Sequence, residues 1–276
     1  MTFALLAAAV AGALIGLSLG ALGGGGSILA VPVLLALGQS ATQATTGSLV
    51  VVGVTSLAGA VTAYRAGNVL LARGVAFGAV AIGGAVVGAH ASAAAPEPVL
   101  LAAFAGLMLV VAGLMTARQV RSRRGASAGS HVDRPRLDDP IITFSPTFMC
   151  QCPRALKLLV TATAVGLLTG FLGVGGGFLV VPALTLALAL PMGYAAGTSL
   201  VVIAITSTAA LATRAGTGIA PDWWLVAALT VTAVGGSVAG ARLAARTDTA
   251  RLSAAFTGLV LIVAAYTVAT AIPALI

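Results

Sequence analysis

The sequence predicts an all-α integral membrane protein of about eight transmembrane helices. These form two tandem four-helix repeats, each with a glycine-rich break and a short half-helix. Three observations predict this fold: composition, the length of the apolar runs, and an internal repeat. Of the 276 residues, 59% are hydrophobic and only 7% are charged. The mean hydropathy is +1.12. A soluble domain carries roughly a quarter of its residues as charges to cover its surface, so lipid is the solvent this composition suits. The apolar runs approach the roughly 20 residues that a spanning helix needs. They are continuous rather than alternating, which disfavours a β-barrel.

The repeat recurs at a shift of about 150 residues, far longer than a solenoid period of roughly 20–50. Gly16–Leu34 aligns without gaps to Gly166–Leu184, with 11 of 19 positions identical. Ser48-Leu49-Val50-Val51 recurs as Ser199-Leu200-Val201-Val202, and Thr55-Ser56 as Thr206-Ser207. Arg65-Ala66-Gly67 recurs as Arg214-Ala215-Gly216, and Phe104-Ala105-Gly106-Leu107 as Phe256-Thr257-Gly258-Leu259. Shared apolar composition does not keep Gly, Pro, Ser and Arg in one order over a whole half.

The elements follow in order. Residues 1–118 form the first membrane repeat, with spans expected at 3–22, 43–64, 70–91 and 98–118. Residues 119–155 are a polar, Arg-rich linker, irregular by its Ser, Asp and Pro content. Residues 156–276 form the second repeat, with spans at 156–172, 194–213, 223–244 and 252–273. Between the first two spans of each half lies a short apolar piece, 27–37 or 177–190, that either re-enters or crosses. With four crossings per half the repeats are parallel; with five they are inverted. Loop charge favours four. Placing the linker inside by the positive-inside rule also places Arg65, Arg73, Arg154, Lys157 and Arg214 inside, and leaves Arg242, Arg246 and Arg251 as exceptions outside. Trp223 and Trp224, after Pro221-Asp222, read as interfacial anchors.

Charge placement excludes several classes. The net charge is +8, but Arg118, Arg121, Arg123, Arg124, Arg134 and Arg136 cluster in one polar stretch between the two hydrophobic halves, which speaks for topology rather than nucleic-acid binding. All six carboxylates, Glu97, Asp133, Asp138, Asp139, Asp222 and Asp248, fall outside the expected spans. Proton- and cation-coupled carriers place ionisable groups within the membrane. The isolated His90 and His131 build no metal site, and neither metal nor cofactor is expected.

The glycine runs carry the chemistry. Gly23-Gly24-Gly25-Gly26 and Gly173-Val174-Gly175-Gly176-Gly177 interrupt apolar stretches at matching places. Glycine is costly within a helix, and broken backbone inside a membrane is tolerated where it is buried or lines a wet cavity. A glycine loop entering a helix presents N–H groups and the positive helix end to an anion. The alternative is close packing, with glycine letting two helices touch. Hydroxyl and amide side chains open the next span of each half: Thr42, Gln43, Thr45, Thr46 and Ser48, then Thr198 and Ser199. They either cap a helix or complete a donor ring with Gly23, Gly25, Gly26, Ser27, Gly173, Gly175, Gly176 and Gly177. Arg65 and Arg214 either draw anions toward this ring or anchor the chain.

The pattern Gly173-Val174-Gly175-Gly176-Gly177-Phe178-Leu179-Val180-Val181-Pro182, repeated on an eight-span duplicated scaffold, resembles the sulfite exporter TauE/SafE family. The first copy departs from it, with Ser27 at the third glycine of the triplet and an extra glycine at Gly24. The resemblance covers nearly the whole chain except the linker. It implies a multi-pass protein of the bacterial inner membrane that moves sulfite, an organosulfonate or a related sulfur anion, without enzymatic activity. Export down the membrane potential suits a chain without an intramembrane carboxylate. Uptake of a sulfonate or thiosulfate is the alternative direction. Cys150 and Cys152, in the Met149-Cys150-Gln151-Cys152-Pro153 segment, are either ordinary loop residues or a thiol site for sulfur chemistry. Oligomeric state is not encoded in any of these features.

Overall fold

Apolar runs rich in Ala, Leu and Val become helices because a membrane leaves the backbone no other partner than itself. The computed structural model describes residues 2–94, 152–172, 177–188, 190–214 and 221–248, with individual residues between 99 and 117 and between 251 and 262. The described helices are α1 (Thr2–Leu22), α2 (Ser27–Ala36), α3 (Ala41–Arg65), α4 (Leu71–Ala94), α5 (Cys152–Leu172), α6 (Gly177–Ala187), α7 (Met192–Arg214) and α8 (Trp223–Ala244). Four of them, α3, α4, α7 and α8, are long and apolar enough to cross a membrane. The described residues of the expected spans 98–118 and 252–273 are helical.

Local chemistry sets several ends. Ser40 accepts from the Gln43 backbone N–H while the Gln43 side chain accepts from Ser40 N–H, a capping box that starts α3. Asp222 accepts from the N–H groups of Trp224 and Leu225 and starts α8. The short helices α2 and α6 each contain a proline, Pro32 and Pro182.

Glycine lets the helices approach to backbone contact, and the contacts give their directions. Along α1 and α8, Gly12 lies against Leu229, Gly16 against Ala233 and Gly20 against Ser237, so these helices run the same way. The second half repeats the arrangement: Gly166 lies against Ala81 and Gly170 against Ala85, so α5 runs along α4. Each first helix therefore packs on the other half, and the halves interlock. Added methyl groups at Gly16 or Gly166 would overlap the facing carbonyls. This is small-residue packing, on which helix association in lipid relies.

The remaining directions follow. Gly47 meets Val226 and Gly59 meets Ser237, so α3 runs with α8; Gly74 meets Thr198 and Gly78 meets Ile205, so α4 runs with α7. Between α3 and α7 the order reverses, with Gly53 at Ser207 and Gly59 at Leu200. Thus α1, α3 and α8 point one way and α4, α5 and α7 the other.

The repeats are therefore inverted, which corrects the parallel arrangement that loop charge favours. The physical reason is α2. Gly26 sits against Ile15 and Leu19 of α1, while Leu34 approaches Gly47 near the start of α3. The short piece folds back along α1 and returns the chain to the face it came from. The correction also removes the charge exceptions. Arg242, Arg246 and Arg251 join Arg65, Arg73, Arg154 and Lys157 at one face. Arg214, expected on that face, lies at the opposite one, and is the sole Lys or Arg there among the described residues.

Large apolar side chains such as Leu57 and Val231 remain exposed on the outer helix faces, where lipid meets the bundle.

Candidate functional site

The two breaks meet at the pseudo-twofold axis. Gly23, at φ 77°, takes the left-handed conformation that glycine adopts without strain, and turns the chain from α1 toward α2. Gly24 then abuts the Gly177 carbonyl so closely that a methyl group there would overlap it. A Cβ on Gly177 would in turn stand 2.8 Å from Ser27 Oγ and 2.7 Å from Ile203 Cδ1. Gly23, Gly24, Gly25, Gly26, Ser27 and Gly177 are all buried. The extra glycine of the first copy, a departure from the family pattern in sequence, is thus the point at which one break touches the other. Gly173, Gly175, Gly176 and Cys150 lie outside the described residues. Cys152 is the first residue of α5, at the basic face and away from the crossing.

Both half-helices begin at this crossing. α2 leaves it toward the face of Arg214, and α6 leaves it toward Met192, the start of α7. Two helix N-termini, each equivalent to roughly half a positive charge, therefore converge inside the bundle. The N-cap of α2 is Gly26, which supplies no side-chain cap, unlike Ser40 and Asp222 at the surface ends.

The hydroxyls expected to form one ring divide into two groups. Ser199 Oγ donates to Gly23 O (3.0 Å) and Ala196 O (2.8 Å), and so pins the turn of the first break. Thr198 Oγ1 accepts from Leu70 N–H at 3.1 Å and covers the start of α4 from across the repeat boundary. Thr45, Thr46 and Ser48 stand toward the other face and donate to carbonyls of their own helix, Thr42 O, Thr42 O and Thr45 O. Arg214 joins this second group. Its Nη1 donates to Thr45 Oγ1 at 2.8 Å and reaches Thr46 Oγ1 at 3.5 Å, while Nη2 reaches Ser92 Oγ at 3.4 Å. The equivalent Arg65 is exposed. The repeat register explains the difference: Ala196, Gly197 and Ala244 occupy the places of Thr45, Thr46 and Ser92 in the other copy, so the three hydroxyls on which Arg214 docks are missing at the positions equivalent to them.

Three residues that the sequence reading passed over stand out. Thr55, Ser56 and Ser207 are fully buried, and their hydroxyls have no hydrogen-bond partner. Serine and threonine in helices ordinarily donate to the carbonyl one turn back, as Thr206 does to Val202 O at 3.0 Å. An unsatisfied buried hydroxyl costs about 1–3 kcal/mol. Gly53, Ser56 and Gly59 are three residues apart on the side of α3 facing α7. Ser207 faces Gly53 from α7. The one legible signal was the duplicated Thr-Ser pair itself.

Helices broken where two inverted repeats meet, in a bundle whose outer faces are apolar, define a membrane transporter of the inverted-repeat kind. The chain matches the family model described as "Sulfite exporter TauE/SafE" over residues 8–267, and it belongs to that family. It is 33% identical over 199 residues to a "Probable membrane transporter protein" of Xylella fastidiosa strain Temecula1, covering 70% of this chain and 67% of that one. A protein of the same description from strain 9a5c is 32% identical over the same shares. No solved structure matches the chain. The protein is a multi-pass membrane transporter and not an enzyme.

Proposed function

We propose that this transporter exports a small sulfur oxyanion, sulfite first and organosulfonates second, from the cytoplasm across a bacterial inner membrane. The observation that carries the reading is the meeting of two half-helix N-termini at Gly24, Ser27 and Gly177. Converging positive helix ends and backbone N–H groups stabilise an anion without a fixed cation. The face holding Arg65, Arg73, Arg242 and Arg246 is the cytoplasmic one by the positive-inside rule. Arg65 gathers anions at this entrance. Arg214, with Thr45 and Thr46, receives them at the exit. Gly23, Gly25 and Gly26 of the first break line the cradle in this reading, and Gly173, Gly175 and Gly176 are assigned to it by their sequence match in the repeat alone. Ser199 holds the first break in place through its bond to Gly23 O.

Direction follows from energetics. Moving one negative charge out of a negative-inside cell releases about 2.3 kcal/mol per 100 mV, and no carboxylate lies within an expected span to couple transport to a cation. Uptake of the same anion would oppose this gradient.

Counterflow into proteoliposomes tests the substrate. Vesicles loaded with unlabelled sulfite should accumulate external labelled sulfite, and excess sulfite should compete more strongly than thiosulfate or taurine. Exchange of thiosulfate or taurine alone would reassign the substrate, and no exchange of any sulfur anion would sink the reading.

A further inference from the structure

The geometry points to a desolvated binding site for a singly charged oxyanion, formed by the hydroxyls of Thr55, Ser56 and Ser207 halfway across the bundle. This rests on the anion-transport reading and names where the anion is held and in what charge state. Two independent observations converge. First, these three hydroxyls are fully buried and unpartnered, whereas the hydroxyls around them are committed: Ser27 donates to Gly24 O at 2.8 Å, Ser199 to Ala196 O and Gly23 O, Thr206 to Val202 O, and Ser237 to Thr55 O at 3.3 Å. Second, the N-termini of α2 and α6 meet one helical turn from Ser207, since Gly177 packs on Ile203, four residues before Ser207 on the same side of α7.

Position supports the assignment. Ser56 and Ser207 are equivalent in the two repeats, and Ser207 faces Gly53, three residues before Ser56, across antiparallel helices. A site on this axis is equally distant from both faces, where a carrier with inverted repeats needs it. The chemistry of the donors sets the charge. Hydroxyl protons replace the hydration of an oxyanion without adding a formal charge. Two helix N-termini contribute roughly +0.5 each, which balances one negative charge and not two. The site therefore takes hydrogensulfite or another monoanion and rejects sulfate, whose double charge makes burial far costlier. Hydroxyls can also ligate a cation through their lone pairs, but the positive helix ends oppose one here.

The test uses the full-length protein in proteoliposomes, with sulfite as the probe and Ser56→Ala/Ser207→Ala and Thr55→Val as the variants. Each removes an unpartnered hydroxyl with little change in shape, so the melting temperature should stay level or rise. The half-saturating sulfite concentration should increase at least tenfold, and sulfate should fail to compete in the wild type. Thr208→Ala, an exposed residue of α7, should change nothing. Wild-type sulfite transport with unaltered saturation in both variants would overturn the site while leaving the transport reading intact. Loss of a sodium dependence in place of sulfite affinity would make the hydroxyls cation ligands and overturn the proposal. Competition by sulfate would overturn the charge assignment. Absence of sulfur-anion transport by the wild type would sink the transport reading itself.

Discussion

The Nη1 of Arg214 lies 2.8 Å from the Thr45 hydroxyl, so the last residue of α7 is fastened to the N-terminal part of α3. Among the described residues the equivalent Arg65 has no such fastening and is exposed. Replacing Arg214 by Ala is expected to destabilise the protein by about 1.5–3 kcal/mol, the range for hydrogen bonds to a charged group. Arg65→Ala should stay within about 0.5 kcal/mol of wild type. Thermal unfolding of the two variants in detergent checks the contrast. Equal losses would mean that the docking of Arg214 contributes nothing.

The contact between the breaks makes Gly24 intolerant of any side chain. Gly24→Ala places a methyl group against the Gly177 carbonyl, and backbone on both sides leaves it no room to move. Sulfite flux should fall at least a hundredfold, or the variant should not accumulate in the membrane. Gly193→Ala, in α7 with nothing near its added Cβ, serves as the matched control and should transport normally.

Interlocking of the halves gives a paired prediction. Gly16→Ala and Gly166→Ala press on Ala233 and Ala81 in equivalent settings. Each should lower stability by about 1–3 kcal/mol, the cost of overpacking a close contact. Gly235→Ala, whose added Cβ meets nothing, should be neutral. Unequal effects at Gly16 and Gly166, measured by unfolding in one detergent, would contradict the symmetry of the two interfaces.

The inverted topology is testable by sidedness. In a background with Cys150→Ser and Cys152→Ser, single cysteines at Arg65 and Arg246 should react with an impermeant maleimide from the same side. A cysteine at Trp224, which is 83% exposed, should react from the other side. Parallel repeats would place positions 65 and 246 on opposite sides.

Much of the fold was legible in the sequence. The expected spans 43–64 and 223–244 correspond to α3 at Ala41–Arg65 and α8 at Trp223–Ala244, because apolar length and polar flanks determine such helices locally. The breaks were legible too, since runs of glycine are costly in a helix and these were duplicated. The relative orientation of the halves was not. Counting loop charges depends on whether residues 27–37 cross the membrane, and only the contacts of Gly26 with α1 and of Leu34 with Gly47 show them folding back. The site was half legible. Sequence marks a hydroxyl but not the carbonyl that takes its proton, so Thr45, Ser48 and Ser199 looked as available as Thr55, Ser56 and Ser207. Gly24 looked like a distortion because its reason lies 153 positions away, at Gly177.

The most direct measurement is sulfite efflux from proteoliposomes under an imposed potassium-diffusion potential, with equal pH and equal sodium on both sides. An anion carried through a site without a coupling carboxylate should leave faster as the interior is made more negative, with no requirement for a proton or sodium gradient. Efflux that ignores the potential, or that proceeds only when a proton or sodium gradient is supplied, would contradict transport of a bare anion through the crossing of the two breaks.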